Sequence, residues 1–156
     1  TVVMIQKRPS WDEYFMMLAE VVRKRADCSR GVNGSILVKD YRIISTGYNG
    51  TPYKIKNCSE GGCVRCKKRN SGEIKRYEFE EKCICIHAEQ NAIIQAAYIG
   101  ISTKDAILYS TSNPCSSCAK MLINAGIKRL VYRHEHHDLE GINLLKKAKV
   151  ETLLFK

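Results

Sequence analysis

No apolar run in the 156-residue chain approaches the ~20 residues that a membrane-crossing helix needs. Proline is scarce, with three in all, and the ten glycines follow no period, which excludes a collagen-like rod. Charged residues are 27% of the chain beside 44% hydrophobic ones, too balanced for wholesale disorder. There is no internal repeat. The start, Thr1-Val2-Val3-Met4, runs into Gln6-Lys7-Arg8-Pro9 without the apolar stretch of a signal peptide, so the expected location is the cytoplasm, with no membrane partner. Acidic side chains are few, 16 against 26 lysines and arginines, for a net charge of +10. Such a surplus fits polyanionic partners, and it fits a scattered positive surface equally well. No basic run exceeds the triads Arg23-Lys24-Arg25 and Lys67-Lys68-Arg69. The length fits one domain over residues 1–156.

What the chain has in excess is cysteine, eight residues in all. Without a secretory signal, their spacing favours metal over disulfides: Cys63-x-x-Cys66, Cys83-x-Cys85 and Cys115-x-x-Cys118.

Ser10 before Trp11-Asp12-Glu13 reads as a capping box opening a helix over about 11–25. Residues 35–39 and 41–46 read as a hairpin turning at Asp40. Residues 47–82 are rich in Gly, Asn, Lys and Cys without periodicity; a structureless stretch of that length inside a domain needs a metal staple, placed on a cysteine-rich insert at about 52–86. Then come a helix over 87–98 stopped by Gly100, a strand over 106–110, and a helix with Pro114 in its first turn, ended by Gly126. A strand over 128–132, a helix over 139–148 and a strand over 150–155 complete the chain. The α-β-β-α-β-α-β-α-β order predicts an α/β fold in three layers, a mixed five-stranded sheet with helices on both faces.

His87-Ala88-Glu89 opens one helix and Pro114-Cys115-Ser116-Ser117-Cys118 the next. One imidazole and two thiolates make three zinc ligands and leave a fourth position open, the pattern of catalytic zinc. Cys115 and Cys118, three apart, share one face of a helix start, where the dipole favours thiolate. Glu89 is then free to handle protons. This combination is the signature of zinc nucleobase deaminases.

The resemblance extends beyond that motif. From Ser10 to Phe155 the chain resembles the deoxycytidylate (dCMP) deaminases. Ser10-Trp11-Asp12-Glu13-Tyr14-Phe15-Met16 looks like the family's opening, and Thr46-Gly47-Tyr48-Asn49-Gly50-Thr51-Pro52 like its glycine-rich nucleotide loop. His87 to Ile93 and Pro114 to Lys120 match its two zinc motifs, and Gly126 to Tyr132 the strand that follows. The resemblance implies a cytidine-deaminase-like fold and hydrolysis of dCMP to dUMP and ammonia, which feeds thymidylate synthesis. In that reading Glu89 moves a proton to N3 and then to the leaving ammonia, and the backbone at Ala88 holds the base edge. Asn49 is the candidate for the deoxyribose hydroxyl, with a left-handed turn as its plainer role. Arg25, Ser29 and Arg30 are the candidates for the phosphate. The family's Tyr-Arg pair beyond that strand is replaced here by His136-His137. Homo-oligomers, commonly hexamers, are also implied, with dCTP and Mg²⁺ activating and dTTP inhibiting through Gly47, Tyr48, Asn49 and Gly50.

The family often carries a second, structural zinc. Cys28, Cys58 and Cys85 look like three of its ligands, and Cys83, Cys66 or Cys63 would be the fourth. Six thiolates exceed one tetrahedral site, so either two are spare or two metals share them; one zinc is the preferred expectation. Two other functions fit the zinc motifs: deamination of another base, as in dCTP or in tRNA adenosine, and a zinc-containing nucleic-acid-binding module of DNA uptake. The Gly-Tyr-Asn-Gly loop and the intact Glu89 favour the nucleotide enzyme.

Overall fold

The computed structural model describes residues 7–156; Thr1 to Gln6, on which the reading of the chain start rests, lie outside it. Ser10 Oγ accepts from Glu13 N–H at 3.2 Å, and Glu13 Oε2 accepts from Ser10 N–H at 2.6 Å, so the predicted capping box opens α1 (Trp11–Arg23). The helix ends two residues short of the expected bound. Strands β1 (Gly34–Lys39) and β2 (Arg42–Tyr48) pair antiparallel. Asp40 and Tyr41, at φ 49° and 59°, form the two-residue turn between them. Tyr41 therefore belongs to the turn and not to the second strand, and its ring lies 4.8 Å from that of Trp11.

Beyond the insert follow α3 (Ala88–Ile99), β3 (Ile107–Ser112), α4 (Ser116–Asn124), β4 (Arg129–His134), α5 (Glu140–Lys147) and β5 (Glu151–Leu154). The sheet order is β2-β1-β3-β4-β5, with β1 antiparallel to both neighbours and β3, β4 and β5 parallel. Alternation divides each strand between two cores. Ile36, Val38, Tyr109 and Val131 face α1, packing on Phe15, Met16 and Ala19. Leu37, Leu108, Leu130 and Tyr132 face the other way, onto Ala92 and Ala96 of α3, Leu122 of α4 and Leu145 of α5. This is the expected three-layer arrangement. Crossovers β3-α4-β4 and β4-α5-β5 advance in one direction along the sheet, and their common hand puts both helices on one face.

A half-buried carboxylate fastens α1 to the sheet. Asp12 Oδ1 accepts from Tyr109 Oη–H at 2.7 Å and from Arg129 at 2.9 Å, and Oδ2 accepts from Arg129 at 2.9 Å. The Arg129 guanidinium holds the Asp12 carboxyl below its ordinary value. A depressed carboxyl stabilises the fold above the unfolded pKa of about 3.9, and that contribution disappears as pH falls through the lower folded value. Asp12→Asn is therefore expected to cost on the order of 1–2 kcal/mol at neutral pH. In urea titrations the gap to wild type should close below pH ~4.

The insert is not structureless. It contains a 3₁₀ turn at Cys58–Glu60, the helix α2 (Val64–Asn70) and a second 3₁₀ turn at Glu80–Lys82. Its two ends are clamped together: Ile86 N–H donates to Gly50 O at 2.8 Å, and Gly50 N–H to Ile86 O at 3.2 Å. Arg65, buried on α2, donates to the carbonyls of Arg76 and Glu78 and so fixes the loop that follows. Among the described residues no helix is long and apolar enough to cross a membrane.

Candidate active site

The N-termini of α3 and α4 meet at the end of β3. His87 is the N-cap of α3, and its backbone N–H donates to Gln90 Oε1 at 2.9 Å. Cys115 is the N-cap of α4, and Cys118 lies on that helix's first turn. Pro114 thus precedes the cap rather than occupying the first turn; its carbonyl packs against Gly141, where an added Cβ would come within 2.1 Å.

His87 Nδ1 lies 3.6 Å from Cys115 Sγ and 3.4 Å from Cys118 Sγ. A tetrahedral zinc with Zn–N of ~2.0 Å and Zn–S of ~2.3 Å requires an N···S edge of about 3.5 Å. The three residues therefore fit a zinc ion without rearrangement, and their ligand atoms all lie within 4.8 Å of one another. The thiols are tuned unequally. Hydrogen bonding from Cys118, with help from His87, holds Cys115 down at about 3, while the charge on Cys115 and burial push Cys118 up. The Cys115 thiolate in turn raises His87.

Glu89 is only 4% exposed, and burial raises its carboxyl above the usual range. Its Oε2 is 3.9 Å from Cys118 Sγ. A carboxylate held dry beside the three ligand residues, with a raised affinity for protons, is suited to a role in proton transfer.

His87 and Cys115 line a cavity of about 610 Å³, within the usual range for a small-ligand site, with Cys118 buried behind them. Ala88, Glu89 and Asn49 line it. Arg30 also lines it, paired with Glu80 at 3.0 Å. The exposed Arg25 is not among the lining residues, and neither is Ser29, which instead accepts through its carbonyl from Arg69 at 2.7 Å. The basic wall comes from Arg23, Arg69 and Arg76 in addition to Arg30, and from His134, His136 and His137. Asn113 ties the histidine loop to the site, since its Oδ1 accepts from His136 N–H at 2.6 Å and its Nδ2 donates to Asp138 O at 2.7 Å.

Asn49 does not adopt the left-handed conformation of its plainer reading. Its side chain is buried, accepting from Asn33 N–H at 2.7 Å and donating to Gly31 O at 2.7 Å. Gly47 is required for close approach: an added Cβ would lie 2.2 Å from Ala88 O and 2.3 Å from Ala92 N. Tyr48 is partly exposed, and its carbonyl accepts from Asn91 at 2.7 Å. Gly50 contributes to the clamp on Ile86. Gly47→Ala would push α3 off β2 and displace His87 and Glu89 with it. The expected loss is about 1–3 kcal/mol in a thermal melt, together with reduced zinc content.

Asn33, Ser112 and Asn113 line the cavity and were not predicted. Their signal in the sequence is the polar run Ser110-Thr111-Ser112-Asn113 at the end of an otherwise apolar strand. Ser112 Oγ–H donates to Asn33 Oδ1 at 2.8 Å, joining the end of β3 to the start of β1.

All six other cysteines come together. Cys28, Cys58, Cys63, Cys66 and Cys85 form a buried cluster against which Cys83 packs. None is in a disulfide.

Residues 9–134 match the model of the family described as the cytidine and deoxycytidylate deaminase zinc-binding region. The deoxycytidylate deaminase of Schizosaccharomyces pombe is 41% identical over 145 residues, 92% of this chain and 44% of that protein. This chain thus spans under half the length of that relative. The deoxycytidylate deaminase of Mycobacterium phage D29 is 37% identical over 135 residues, 82% of this chain and 98% of the phage protein. Among solved structures, the dCMP deaminase of cyanophage S-TIM5 in complex with dCMP and dUMP superimposes with a TM-score of 0.77 at 31% identity, covering 96% of this chain and 100% of that one. With its paired helix caps, its buried glutamate and a family match over most of its length, the chain belongs to the zinc-binding cytidine and deoxycytidylate deaminase family.

Proposed function

We propose that the chain, as a single deaminase domain over residues 1–156, hydrolyses dCMP to dUMP and ammonia. The observation that carries this reading is the buried Glu89 beside the His87, Cys115 and Cys118 triad, at the floor of a cavity with a basic wall. The relative solved with dCMP and dUMP supports the choice of substrate. Zinc held by His87, Cys115 and Cys118 would act as a Lewis acid, lowering the pKa of water from ~15.7 to about 7. Glu89 takes a proton from the attacking water, passes it to N3 of the cytosine, and then carries the proton of the new C4 hydroxyl to the departing amino nitrogen. Oxygen replaces nitrogen at C4, and ammonia leaves. Ala88 contributes its backbone N–H, an unpaired donor at a helix start, to the base edge. Asn49 fixes the sugar end of the cavity through its bonds to Asn33 and Gly31. Arg30, with Arg69 and Arg76, faces the phosphate, and His136 and His137 stand where relatives carry their Tyr-Arg pair.

The sulfur cluster is a zinc staple that ties the insert to Cys28, at the end of α1. Reduced thiols of this kind suit a cytoplasmic protein. A homo-oligomer, with a hexamer as the specific form, belongs to the same reading; exposed Ile94 and Tyr98, one turn apart on α3, offer apolar surface for a contact between copies. Regulation by dCTP with Mg²⁺ and by dTTP, contacting the Gly47–Gly50 loop, completes the reading. Ammonia release from dCMP, dCTP, deoxycytidine and a tRNA anticodon stem, with and without dCTP–Mg²⁺, tests it. Turnover of dCMP is the expected result; preference for dCTP or for the adenosine of the tRNA would replace the substrate.

A further inference from the structure

We infer that the six-cysteine cluster binds two metal ions, bridged by shared thiolates, rather than one ion with two cysteines to spare. The inference rests on the reading of this cluster as a zinc staple and extends it to a second ion.

The insert has no apolar core of its own at this point. Apart from Arg65, the side chains that pack together beside α2 are sulfur, drawn from three segments: Cys28 after α1, Cys58, Cys63 and Cys66 in the insert, and the half-buried Cys83 with Cys85 ahead of α3. Three triads of Sγ atoms each fall within 4.8 Å: Cys28 with Cys58 and Cys85, Cys28 with Cys66 and Cys83, and Cys63 with Cys83 and Cys85. Every one of the six belongs to a triad, so none is spare in space. Cys28, Cys83 and Cys85 each belong to two, which is the property a bridging ligand needs.

The separations suit zinc. Cys83 Sγ lies 3.9 Å from Cys63 Sγ and 3.8 Å from Cys66 Sγ. The edge of a tetrahedron with Zn–S of ~2.3 Å is about 3.8 Å. Two tetrahedra sharing an edge require six ligand atoms, two of them common to both ions, and six are present. One ion fits among Cys28, Cys58 and Cys85. The other fits beside Cys83, between Cys63 and Cys66, with the common thiolates drawn from Cys28, Cys83 and Cys85.

The charge balance accommodates the second ion. One Zn²⁺ on four thiolates carries a charge of −2, and so do two Zn²⁺ on six. The second ion displaces two thiol protons to solvent and leaves the net charge unchanged. Arg30, set against Cys83 and Cys28, faces that residual charge.

The test is a metal count by mass spectrometry on protein purified under reducing conditions and dialysed against zinc-free buffer. Three zinc ions per chain are expected in the wild type. Two are expected in the double variant C115S/C118S, which leaves the cluster intact. Two in the wild type and one in that variant would overturn the inference, as would iron in place of zinc. The ¹¹³Cd-substituted protein provides a second reading: two thiolate resonances coupled through a shared sulfur are expected from the cluster, and a single uncoupled one overturns the second ion. Neither measurement depends on turnover, so a protein inactive toward dCMP could still hold three ions, and an active one could hold two.

Discussion

Glu89→Gln is expected to slow deamination about 10²–10⁴-fold, the usual contribution of a positioned acid–base group, and to leave zinc content and nucleotide binding unchanged. The substitution preserves shape at a site that is 4% exposed, where any truncation would open a void. It removes only the ability to take up and release a proton. Burial raises the Glu89 carboxyl above its ordinary value, which strengthens it as a proton acceptor. Steady-state kinetics with equilibrium dialysis of dCMP separates the two quantities. A variant that still turned over at wild-type rate would move the proton-handling role to another group. Loss of zinc together with activity would show that Glu89 supports the fold of the site rather than its chemistry.

Removing metal from the sulfur cluster is expected to have the second largest effect, and it should act on binding before chemistry. Structural zinc contributes on the order of 10 kcal/mol to folding in small thiolate sites. In the proposed staple that energy would hold an insert whose buried side chains are mostly sulfur. Arg69, Arg76 and Tyr77, all on the insert, line the cavity, and Arg30 is held between the cluster and Glu80. Cys58→Ser together with Cys85→Ser should therefore release this wall. The expected results are rapid hydrogen exchange over residues 52–86, a rise in KM for dCMP of tenfold or more, and a smaller change in kcat. Exchange confined to those residues, with β3 and β4 still protected, distinguishes this outcome from global unfolding.

The catalytic triad was legible in the sequence because its chemistry allows few residue types and because both of its segments carry readable helix starts. The same holds for the Ser10–Glu13 box and for the alternation that divides Leu37 from Ile36 and Val38. Helix α2 was not legible. It is short, its sequence Val64 to Asn70 has no apolar period, and it forms because Cys66 and Arg65 are buried by residues far along the chain. Of the phosphate candidates, Arg30 lines the cavity while Arg25 and Ser29 do not, and the lining Arg69 and Arg76 were not singled out, for a related reason. Arg25 and Arg69 are the same residue type, and only the path of the insert decides which of them faces the cavity. Asn33, Ser112 and Asn113 owe their position to strand pairing between β1 and β3, which no local pattern shows.

The clamp between Gly50 and Ile86 gives the insert a separable character. A segment that leaves and re-enters the core at adjacent points can lengthen, shorten or be exchanged while the loop-closure cost changes only slowly with its length. The His87, Cys115 and Cys118 triad sits on caps outside that segment, so it and the part of the cavity wall built from Arg69, Arg76 and Tyr77 can be inherited independently. Residues 51–85 can therefore be treated as a cassette. A chimera that carries a relative's cassette between this chain's Gly50 and Ile86 would exchange substrate preference while retaining the native reaction centre.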